Sequence, residues 1–414
     1  MQLRYNYRMY PDAQQRVALA HAFGCARVVF NDALRTRQEA REQGLPYISD
    51  GDLSKQVITR AKATPERAWL GQVSAVILQQ ALADLNMAYR NFFASMVGIR
   101  KGPKVASPKF RSKKDARQAV RFTKNARFTV TESGRLRLPK IGDVPVRWSR
   151  SLPSEPSSVT VIKDSAGRYF ASFVVDAADR PLPETDSEIG IDLGLTHFAV
   201  TSDGRKVSNP RILRRAARKL RKANKALSRK QNASANRAKA KLKVAKAYAK
   251  MTDTRRDWAH KLSTTLIREN QTVYVEDLAV SGLARTKLAT SVHDAGWSQF
   301  TAMLEYKAAR YGRHFARIDR WFPSSKLCST CGTIATSMPL ASRSWMCGCG
   351  VTHDRDINAA INILAAGQAE RRNDCGARPG PGHVPAPREE AVTRRKSHVR
   401  QAGMDVNAPG LRST

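Results

Sequence analysis

The sequence predicts an α+β multidomain protein, in which a small antiparallel β-barrel carries a helical insertion and a second half alternates strands with helices. Two observations lead to this fold class. Short runs of alternating apolar residues, separated by Gly-containing turns, fill residues 127–175 and are typical of a small barrel. Apolar residues at helical spacing fill much of residues 11–99. A chain of 414 residues is long enough for two or three domains.

The first half begins with a predicted strand, MQLRYNYRM, after which Pro11 opens a helix to about Glu42, because proline is tolerated at the first helical position. A second helix is predicted to start at Thr64-Pro65. Its core face at helical spacing would comprise Val73, Ile77, Leu78, Leu82, Leu85, Tyr89 and Phe92. A basic loop, residues 100–117, precedes the barrel strands.

The second half starts after a predicted linker, PLPETDSE (181–188), and opens with the strand–turn–strand pattern IGIDLGLTHFAVTSDGRKV. Residues 211–256 then carry eighteen Lys or Arg and one acid, Asp253. Leucines at every seventh position predict helix, and NASAN (232–236) can break it into a hairpin. A basic helix is usually a solvated face, but so large an imbalance favours a hairpin that faces nucleic acid.

The rest of the second half continues this alternation. TVYVEDLAV is predicted as a buried strand with acids at its end, GWSQFTAMLEYKAARYG as an amphipathic helix and RHFARIDRWF as another strand. After about Ala366 the chain becomes rich in Pro, Gly and charged residues. Because such a segment buries too little apolar surface to fold, residues 367–414 are predicted to be a disordered tail.

The charge balance indicates a polyanionic partner. Lys and Arg total 72 against 35 Asp and Glu, which gives a formal net charge of +37, and each phosphate that such a protein neutralises releases condensed counterions. A solvated basic surface or a ribosome-like scaffold would also be basic, but neither explains isolated acids inside apolar strands.

The expected location is the reducing cytoplasm. Six cysteines are too few and too clustered for a secreted disulfide framework, and the N-terminal segment lacks the apolar core of a signal peptide. No run of the chain is expected to be long enough to span a bilayer, so we expect no membrane partner.

Four cysteines have the spacing of a metal site. Cys328-x2-Cys331 is followed, after fifteen residues, by Cys347-x-Cys349, which is close to the pattern of a zinc ribbon. Thiolates suit tetrahedral Zn²⁺, and four protein ligands leave no open coordination position, so one structural zinc ion is expected. The second pair is one residue shorter than usual, and His353 could replace one sulfur. Four reduced structural cysteines are the alternative.

Several carboxylates stand where an acid is locally disfavoured or anchored by a helix. Asp192 interrupts an apolar strand, where burial of a charge is costly. Glu276 ends another apolar strand; Asp277 follows it and, because strand side chains alternate, must point to the other face. Asp354 and Asp356 precede a helix, where either could simply cap the N-terminus. Three carboxylates from separate elements could hold two Mg²⁺ ions for phosphodiester hydrolysis.

Taken together and in order, these motifs resemble a known family. GIDLG, VEDL and CSTCG…CGCG-x2-HDRDINAAINIL, with the stretches GWSQFTAMLEYKAARYG and FPSSKLCSTCG, are similar to the TnpB/OrfB proteins of bacterial insertion sequences, which are related to the compact type V CRISPR nucleases. The resemblance covers most of residues 1–366 and is strongest from residue 189 onward. The family's three catalytic acids, which bind two catalytic Mg²⁺ ions, correspond to Asp192, Glu276 and Asp356.

The resemblance also implies a domain organisation, in which the barrel is a wedge domain and the helical insertion is a recognition domain. A RuvC-like nuclease domain of ribonuclease-H fold follows and is interrupted by a zinc ribbon. We assign residues 1–10 and 100–180 to the wedge, 11–99 to the recognition insertion, 181–322 and 352–366 to the nuclease domain, and 323–351 to the ribbon. The zinc ligands of the family correspond to Cys328, Cys331, Cys347 and Cys349.

The function that the resemblance implies is RNA-guided cleavage of double-stranded DNA. A guide RNA encoded by the protein's own transposon would pair with the target strand, and the protein would recognise a short adjacent motif on the duplex. The candidate phosphate contacts lie in the basic loop and the basic helical region: Lys101, Lys104, Lys109, Arg111, Lys113, Arg214, Arg218 and Lys222.

Two other functions remain open from the sequence. A non-catalytic nucleic-acid-binding regulator of transposition would need no intact set of acids, whereas all three acids are present. A strand-joining transposase would carry its acids in the order Asp, Asp, Glu, whereas this chain has Asp192, Glu276 and Asp356.

Overall fold

The structure, a computed structural model, describes residues 1–115, 117–339 and 342–374. These residues form a mixed α/β multidomain protein with one large sheet in each half of the chain. The strands of the N-terminal half are β1 Gln2–Met9, β2 Gln118–Thr123, β3 Thr129–Val130, β4 Arg135–Leu138, β5 Gly142–Arg147, β6 Ser158–Lys163 and β7 Tyr169–Asp176. The strands of the C-terminal half are β8 Glu188–Asp192, β9 His197–Thr201, β10 Lys206–Ser208, β11 Thr272–Glu276, β12 His314–Ile318, β13 Ser344–Met346 and β14 Thr352–Asp354.

Helices occur in both halves. Those of the N-terminal half are α1 Ala13–Glu42, α2 Asp50–Ser54 and α3 Ala75–Met96. Those of the C-terminal half are α4 Ile212–Ser228, α5 Ala235–Glu269, α6 Val280–Leu283, α7 Ala289–Ala295, α8 Trp297–Tyr311 and α9 Arg355–Asp374.

The N-terminal sheet is antiparallel and has the order β2-β6-β7-β1-β5-β4-β3. β1 is central and pairs along its whole length with β7, from Gln2 opposite Asp176 to Met9 opposite Tyr169, so the first strand of the chain pairs with the last strand of this sheet. Alternate side chains such as Tyr7, Phe122 and Phe173 are fully buried, as expected for a sheet with one covered face. The sheet is an open, curled half-barrel with β2 and β3 at its edges, rather than the small barrel predicted from the sequence.

The helical insertion lies between β1 and β2, and α1 follows the predicted bounds closely. Asp12 caps α1: its carboxylate accepts a hydrogen bond from the Gln15 backbone N–H at 2.8 Å, and the Gln15 side chain accepts one from the Asp12 N–H at 3.1 Å. The predicted start of the second helix at Thr64 is wrong. A turn and the short 3-10 helix Ala68–Gln72 occupy that segment, where Leu70 is fully buried, and α3 begins only after the cap position Ser74.

α1 also corrects the expectation that no segment could span a bilayer. By length and composition alone it is apolar enough to do so, although half of the qualifying window is buried inside the fold. Its buried face, which includes Leu19, Val29 and Leu34, contributes to the same core as the curled sheet. α1 is therefore long and apolar in the way that a helix buried in a protein core is.

The C-terminal sheet has the order β10-β9-β8-β11-β12. β10, β9 and β8 are antiparallel, whereas β8, β11 and β12 are parallel. One face packs on α5 and α8 through residues such as Ile191, Val275 and Phe300. The opposite face packs on α9 through Tyr274 and Ile363.

The basic region forms the predicted helical hairpin, which we call the basic hairpin: α4 and α5, joined by residues 229–234. Asp253, its single acid within 211–256, forms an ion pair with Arg168 at the turn between β6 and β7, so this acid attaches the hairpin to the N-terminal sheet. α9 extends to Asp374, past the predicted end at Ala366. The tail predicted for 367–414 therefore begins no earlier than residue 375, and residues 375–414 lie outside the described part of the chain.

Candidate active site and metal cluster

Asp192 and Glu276 lie side by side at the ends of neighbouring strands. β8 and β11 pair in parallel with Ile191 opposite Val275, so the next residues of the two strands also face each other. Neighbouring strands are about 4.8 Å apart, and side chains along a strand alternate between the faces of the sheet. The two carboxylates therefore share one face, at the carboxyl ends of parallel strands.

α9 brings Asp356 to that face. Gly190 precedes Asp192 by two residues and points to the same side of the sheet. A Cβ on Gly190 would lie 2.2 Å from the carbonyl oxygen of Ala360 in α9, so only glycine permits this approach. Asp356 lies in the first turn of α9, one turn before Ala360. We call Asp192, Glu276 and Asp356 the acidic site.

The pKa values of Asp192 and Glu276 are both raised above those of free carboxyl groups. Asp192 is only partly exposed, and burial is the largest cause that raises the pKa of its carboxyl, to about 7, with further contributions from the charges of Glu276 and Asp356. Burial, followed by the charge of Asp277, also raises the pKa of Glu276. A group of acids that cannot all ionise without mutual repulsion is typical of a site that holds cations or handles protons.

Asp356 has a cationic partner that the sequence analysis missed. Arg343 donates from Nη1 to Asp356 Oδ1 at 3.1 Å and from Nη2 to Thr196 Oγ1 at 3.1 Å. His197 Nδ1 lies 3.9 Å from Asp356 Oδ2. Arg343 stands between the two cysteine pairs in the sequence, where no local pattern distinguishes it from other surface arginines.

The two neighbouring acids have other roles. Asp354 Oδ1 accepts hydrogen bonds from the backbone N–H groups of Asp356 and Ile357, both at 3.1 Å, so it is the N-cap of α9. Asp277 forms an ion pair with Arg320 at 2.6 Å. The backbone amide of Asp277 also bonds to the strand β12, so alternation along the strand separates it from Glu276, as the sequence predicted.

The four predicted zinc ligands form one cluster. The sulfurs of Cys328, Cys331, Cys347 and Cys349 all lie within 4.8 Å of one another. Cys328 and Cys349 are 3.9 Å apart, and Cys331 and Cys347 are 3.5 Å apart. Tetrahedral coordination with zinc–sulfur bonds of about 2.3 Å requires sulfurs roughly 3.8 Å apart. The cluster therefore has dimensions that could hold a metal ion such as zinc.

The turns of the cluster accommodate its shortened second pair. Gly332 and Gly350 both adopt positive φ, +75° and +86°, and each donates a backbone hydrogen bond at 2.9 Å to the first cysteine of its pair, Cys328 or Cys347. The four cysteine sulfurs converge without His353, whose Nε2 lies 3.0 Å from Cys328 Sγ in a buried position. In a metal-bound cluster His353 would orient the Cys328 thiolate, in the manner of outer-shell partners.

Two buried asparagines of α9 connect the cysteine cluster to the acidic site. Asn358 accepts a hydrogen bond from the Ser329 N–H at 3.0 Å and donates to the Leu327 carbonyl at 2.7 Å. Asn362 donates to the same carbonyl at 2.6 Å and to that of Ser324 at 2.8 Å. Both side chains lie on the helix whose first turn carries Asp356. The two asparagines of the NAAIN motif thus attach the segment with the first cysteine pair to α9, the helix that carries Asp356.

The candidate phosphate contacts differ in their surroundings. In the basic loop, Lys101, Lys104, Lys109 and Lys113 are exposed. Arg111 is engaged within the fold, because its guanidinium stacks over the Phe30 ring at 3.8 Å and pairs with Asp84 at 3.2 Å. Arg111 therefore attaches the basic loop to the helices and is less available to a phosphate than the lysines.

The basic hairpin holds a groove of about 1120 Å³ between α4 and α5. Its apolar lining is mainly alanine, with Ile212, Leu220 and Met251. The lysines along it are Lys219, Lys222, Lys230, Lys239, Lys243, Lys246 and Lys250. Of the predicted contacts in α4, Lys222 lines this groove, whereas Arg214 and Arg218 are exposed outside it.

Comparison with known families agrees with this arrangement. Residues 172–287 match the family OrfB_IS605, described as "Probable transposase". Residues 297–363 match "Cas12f1-like, TNB domain", a range that includes the cysteine cluster and the start of α9. Residues 1–45 match "Helix-turn-helix domain".

Relatives cover almost the whole chain. A Streptomyces pristinaespiralis protein named "Putative RNA-guided DNA endonuclease" is 44% identical over 91% of this chain and 92% of its own. The Escherichia coli K12 protein InsQ, with the same description, is 30% identical over 88% and 92%. A solved structure, "Cryo-EM structure of the Cas12f1-sgRNA-target DNA complex", shares the fold with a TM-score of 0.53 at 12% identity, over 88% of this chain and 98% of that one. With such identity across nearly all of both chains, the protein belongs to the TnpB/OrfB family of insertion-sequence proteins.

Proposed function

We propose that this protein is an RNA-guided DNA endonuclease of a transposable element, and that the acidic site cuts the target. The observation that carries the proposal is the convergence of Asp192, Glu276 and Asp356 from three separate elements onto one face of the C-terminal sheet. The names of the relatives support the guided activity.

The donor set of the acidic site fits hard divalent cations. Carboxylate oxygens are the ligands that Mg²⁺ prefers, and two Mg²⁺ ions, when bound, would stabilise the charge that develops on the phosphodiester and activate the attacking water. The protein's own part is positional. β8 and β11 fix the two strand acids side by side, Gly190 lets α9 approach, and Asp354 caps that helix so that Asp356 is held over the strand ends.

The domain assignment made from the sequence is retained as a proposal. The order of the C-terminal sheet, antiparallel on one side of β8 and parallel on the other, is compatible with a RuvC-like nuclease domain at 181–322 and 352–366. The cysteine cluster would be a zinc ribbon at 323–351 that binds one structural Zn²⁺. Residues 1–10 and 100–180 would form the wedge, and 11–99 the recognition insertion.

The partners would be a guide RNA from the protein's own transposon and a double-stranded DNA target beside a short adjacent motif, in the cytoplasm. Sequence would be read by base pairing, so the protein needs positive surfaces that follow the backbone. The exposed lysines of the basic loop and of the hairpin groove supply such surfaces.

Guided cleavage tests the proposal directly. The protein is purified with RNA expressed from its own locus and is supplied with matching target DNA and Mg²⁺. We expect cutting that requires the RNA match, and loss of cutting with retained binding in Asp192→Ala. The control is Asp277→Ala, which removes the neighbouring acid that pairs with Arg320 and should leave cutting intact.

Three outcomes would contradict the proposal. One is unimpaired cutting by Asp192→Ala, and another is cutting that ignores the RNA. Strand-transfer products in place of cleaved ends would instead favour the strand-joining alternative.

A further inference from the structure

The loop after β12 presents a tryptophan to solvent at the end of the C-terminal sheet that carries the acidic site. Trp321 is 85% exposed, the highest value among the large apolar side chains of the described residues. Burying an indole is strongly favourable, since aromatic side chains bury 150–250 Å² each. A tryptophan held outside the core is therefore a surface available to a partner.

The backbone that carries Trp321 is fixed on both sides. Its N–H donates to Asp319 Oδ1 at 2.7 Å, and the Phe322 N–H donates to the Asp319 carbonyl at 3.2 Å. Phe322 packs into the small core formed by Tyr274 and its neighbours. The indole therefore projects from an anchored turn, so little backbone entropy would be lost when a partner stacks on it.

The strand register places this turn next to the acidic site. β12 ends at Ile318, which is paired with Glu276 in β11. Arg320, the residue before Trp321, reaches back to Asp277, donating to its carboxylate at 2.6 Å and to its carbonyl at 3.2 Å. Trp321 thus follows Ile318, the residue of β12 that pairs with Glu276, by three positions.

The local chemistry favours a nucleobase over an apolar protein surface. Trp321 is preceded by Arg320 and followed by Phe322. Because Phe322 packs into the core, the loop presents one exposed aromatic face beside an arginine rather than a contiguous apolar patch. Aromatic faces stack on any base, and this is how proteins hold single strands without reading their sequence.

We propose that Trp321 is a stacking platform for an unpaired nucleobase of the DNA strand that enters the acidic site. The proposal rests on the proposed function for the identity of that strand. Stacking fixes one nucleotide relative to the strand ends, so Trp321 is a positioning residue that sets which phosphate reaches the carboxylates.

The test compares two DNA probes on the full chain purified with its RNA, in the Asp192→Ala background so that nothing is cut. One probe is fluorescein-labelled oligodeoxythymidine, and the other is a matched oligomer of abasic sites with the same phosphates and no bases. We expect the base-containing probe to bind about fivefold more tightly or better. Trp321→Ala should abolish this preference and Trp321→Phe should keep most of it.

Tyr10→Ala is the matched control, because Tyr10 is an exposed aromatic residue of the N-terminal half, and it should keep the full preference. Equal binding of both probes by the chain with Trp321 intact, or a preference that survives Trp321→Ala, would overturn the stacking proposal. Guided cleavage is measured separately, so the loss of the proposed function and the loss of the stacking platform give different results.

Discussion

The charge of Asp192 gives the most direct physical test of the acidic site. Asp192→Asn keeps the shape of the side chain and removes its charge. In the folded chain, burial and the charges of Glu276 and Asp356 raise the pKa of this carboxyl from 3.8 to about 7. Between those two values the folded state retains a proton that the unfolded state has lost, so stability falls as the pH rises through this window. Above about pH 7 the folded state bears the full free-energy cost of the buried charge, so Asp192→Asn should be more stable than the unsubstituted chain.

The rise in pKa sets an upper limit on the effect. Each pKa unit corresponds to about 1.36 kcal/mol, so the limit is roughly 4 kcal/mol. Because the side chain is partly exposed, solvent screens the interaction, and we expect about half of this value, roughly 2 kcal/mol near pH 8. For a domain of a few hundred residues this corresponds to an increase of roughly 4–8 °C in melting temperature.

Thermal unfolding followed by circular dichroism, without added divalent cations, measures this difference. We expect Asp192→Asn to melt above the unsubstituted chain near pH 8 and to lose its advantage near pH 4. Asp277→Asn is the control. It removes the repulsion on Glu276 but also the ion pair with Arg320, and because the second effect offsets the first, this variant should gain no stability at any pH. An Asp192→Asn variant with no gain near pH 8, or with the same gain at every pH, would refute the electrostatic reasoning.

Three further predictions concern packing, metal and polyanion binding. Gly190→Ala should lower the free energy of unfolding by about 1–3 kcal/mol or more and abolish most of the cutting, because its Cβ would lie 2.2 Å from a backbone oxygen of α9. In the control Gly71→Ala, the added Cβ meets open space, so neither the melting temperature nor cleavage should change. Cys328→Ser should lower bound zinc and the melting temperature together, whereas Cys25→Ser in α1 should keep its zinc by elemental analysis; full zinc in Cys328→Ser would refute the ligand role. Replacing the lysines of residues 239–250 with glutamine should reduce the slope of log binding constant against log salt by about 1 or more, and an unchanged slope would make the hairpin groove a solvated surface.

The sequence predicted the site where local pattern and topology coincide. Asp192 and Glu276 stand out as candidates because each interrupts or ends an apolar strand, and alternation along the strand predicts that Asp277 and Glu276 point to opposite faces. The cysteine spacing predicted the cluster because metal ligands must lie on short turns, and the glycines after each pair mark those turns. The choice of Asp356 over Asp354 came from family resemblance alone. The geometry supplies its reason, since Asp354 is occupied as the cap of α9.

Other features depend on long-range contacts that no local pattern contains. Arg343 is separated by 13 positions from Asp356, and nothing in its neighbourhood marks it as a partner of an acid. A half-barrel and a closed barrel have the same alternation of apolar residues along each strand. They differ in whether the two edge strands pair with each other, and this depends on contacts between distant parts of the chain. Helical periodicity continues upstream of α3 into the short 3-10 helix Ala68–Gln72, which buries Leu70, so the pattern alone places the start of α3 too early.

The central claim is that Asp356 acts in cutting, whereas Asp354 has a structural role: it caps the helix that holds Asp356 and pairs with Lys206. The most direct measurement is therefore RNA-guided cleavage by two variants two residues apart, Asp356→Asn and Asp354→Asn. Asparagine is as good an N-cap as aspartate, so Asp354→Asn should cut at close to the unsubstituted rate. Asp356→Asn should bind the target and lose cutting by orders of magnitude. Retained cutting by Asp356→Asn, or equal loss in both variants, would contradict the account.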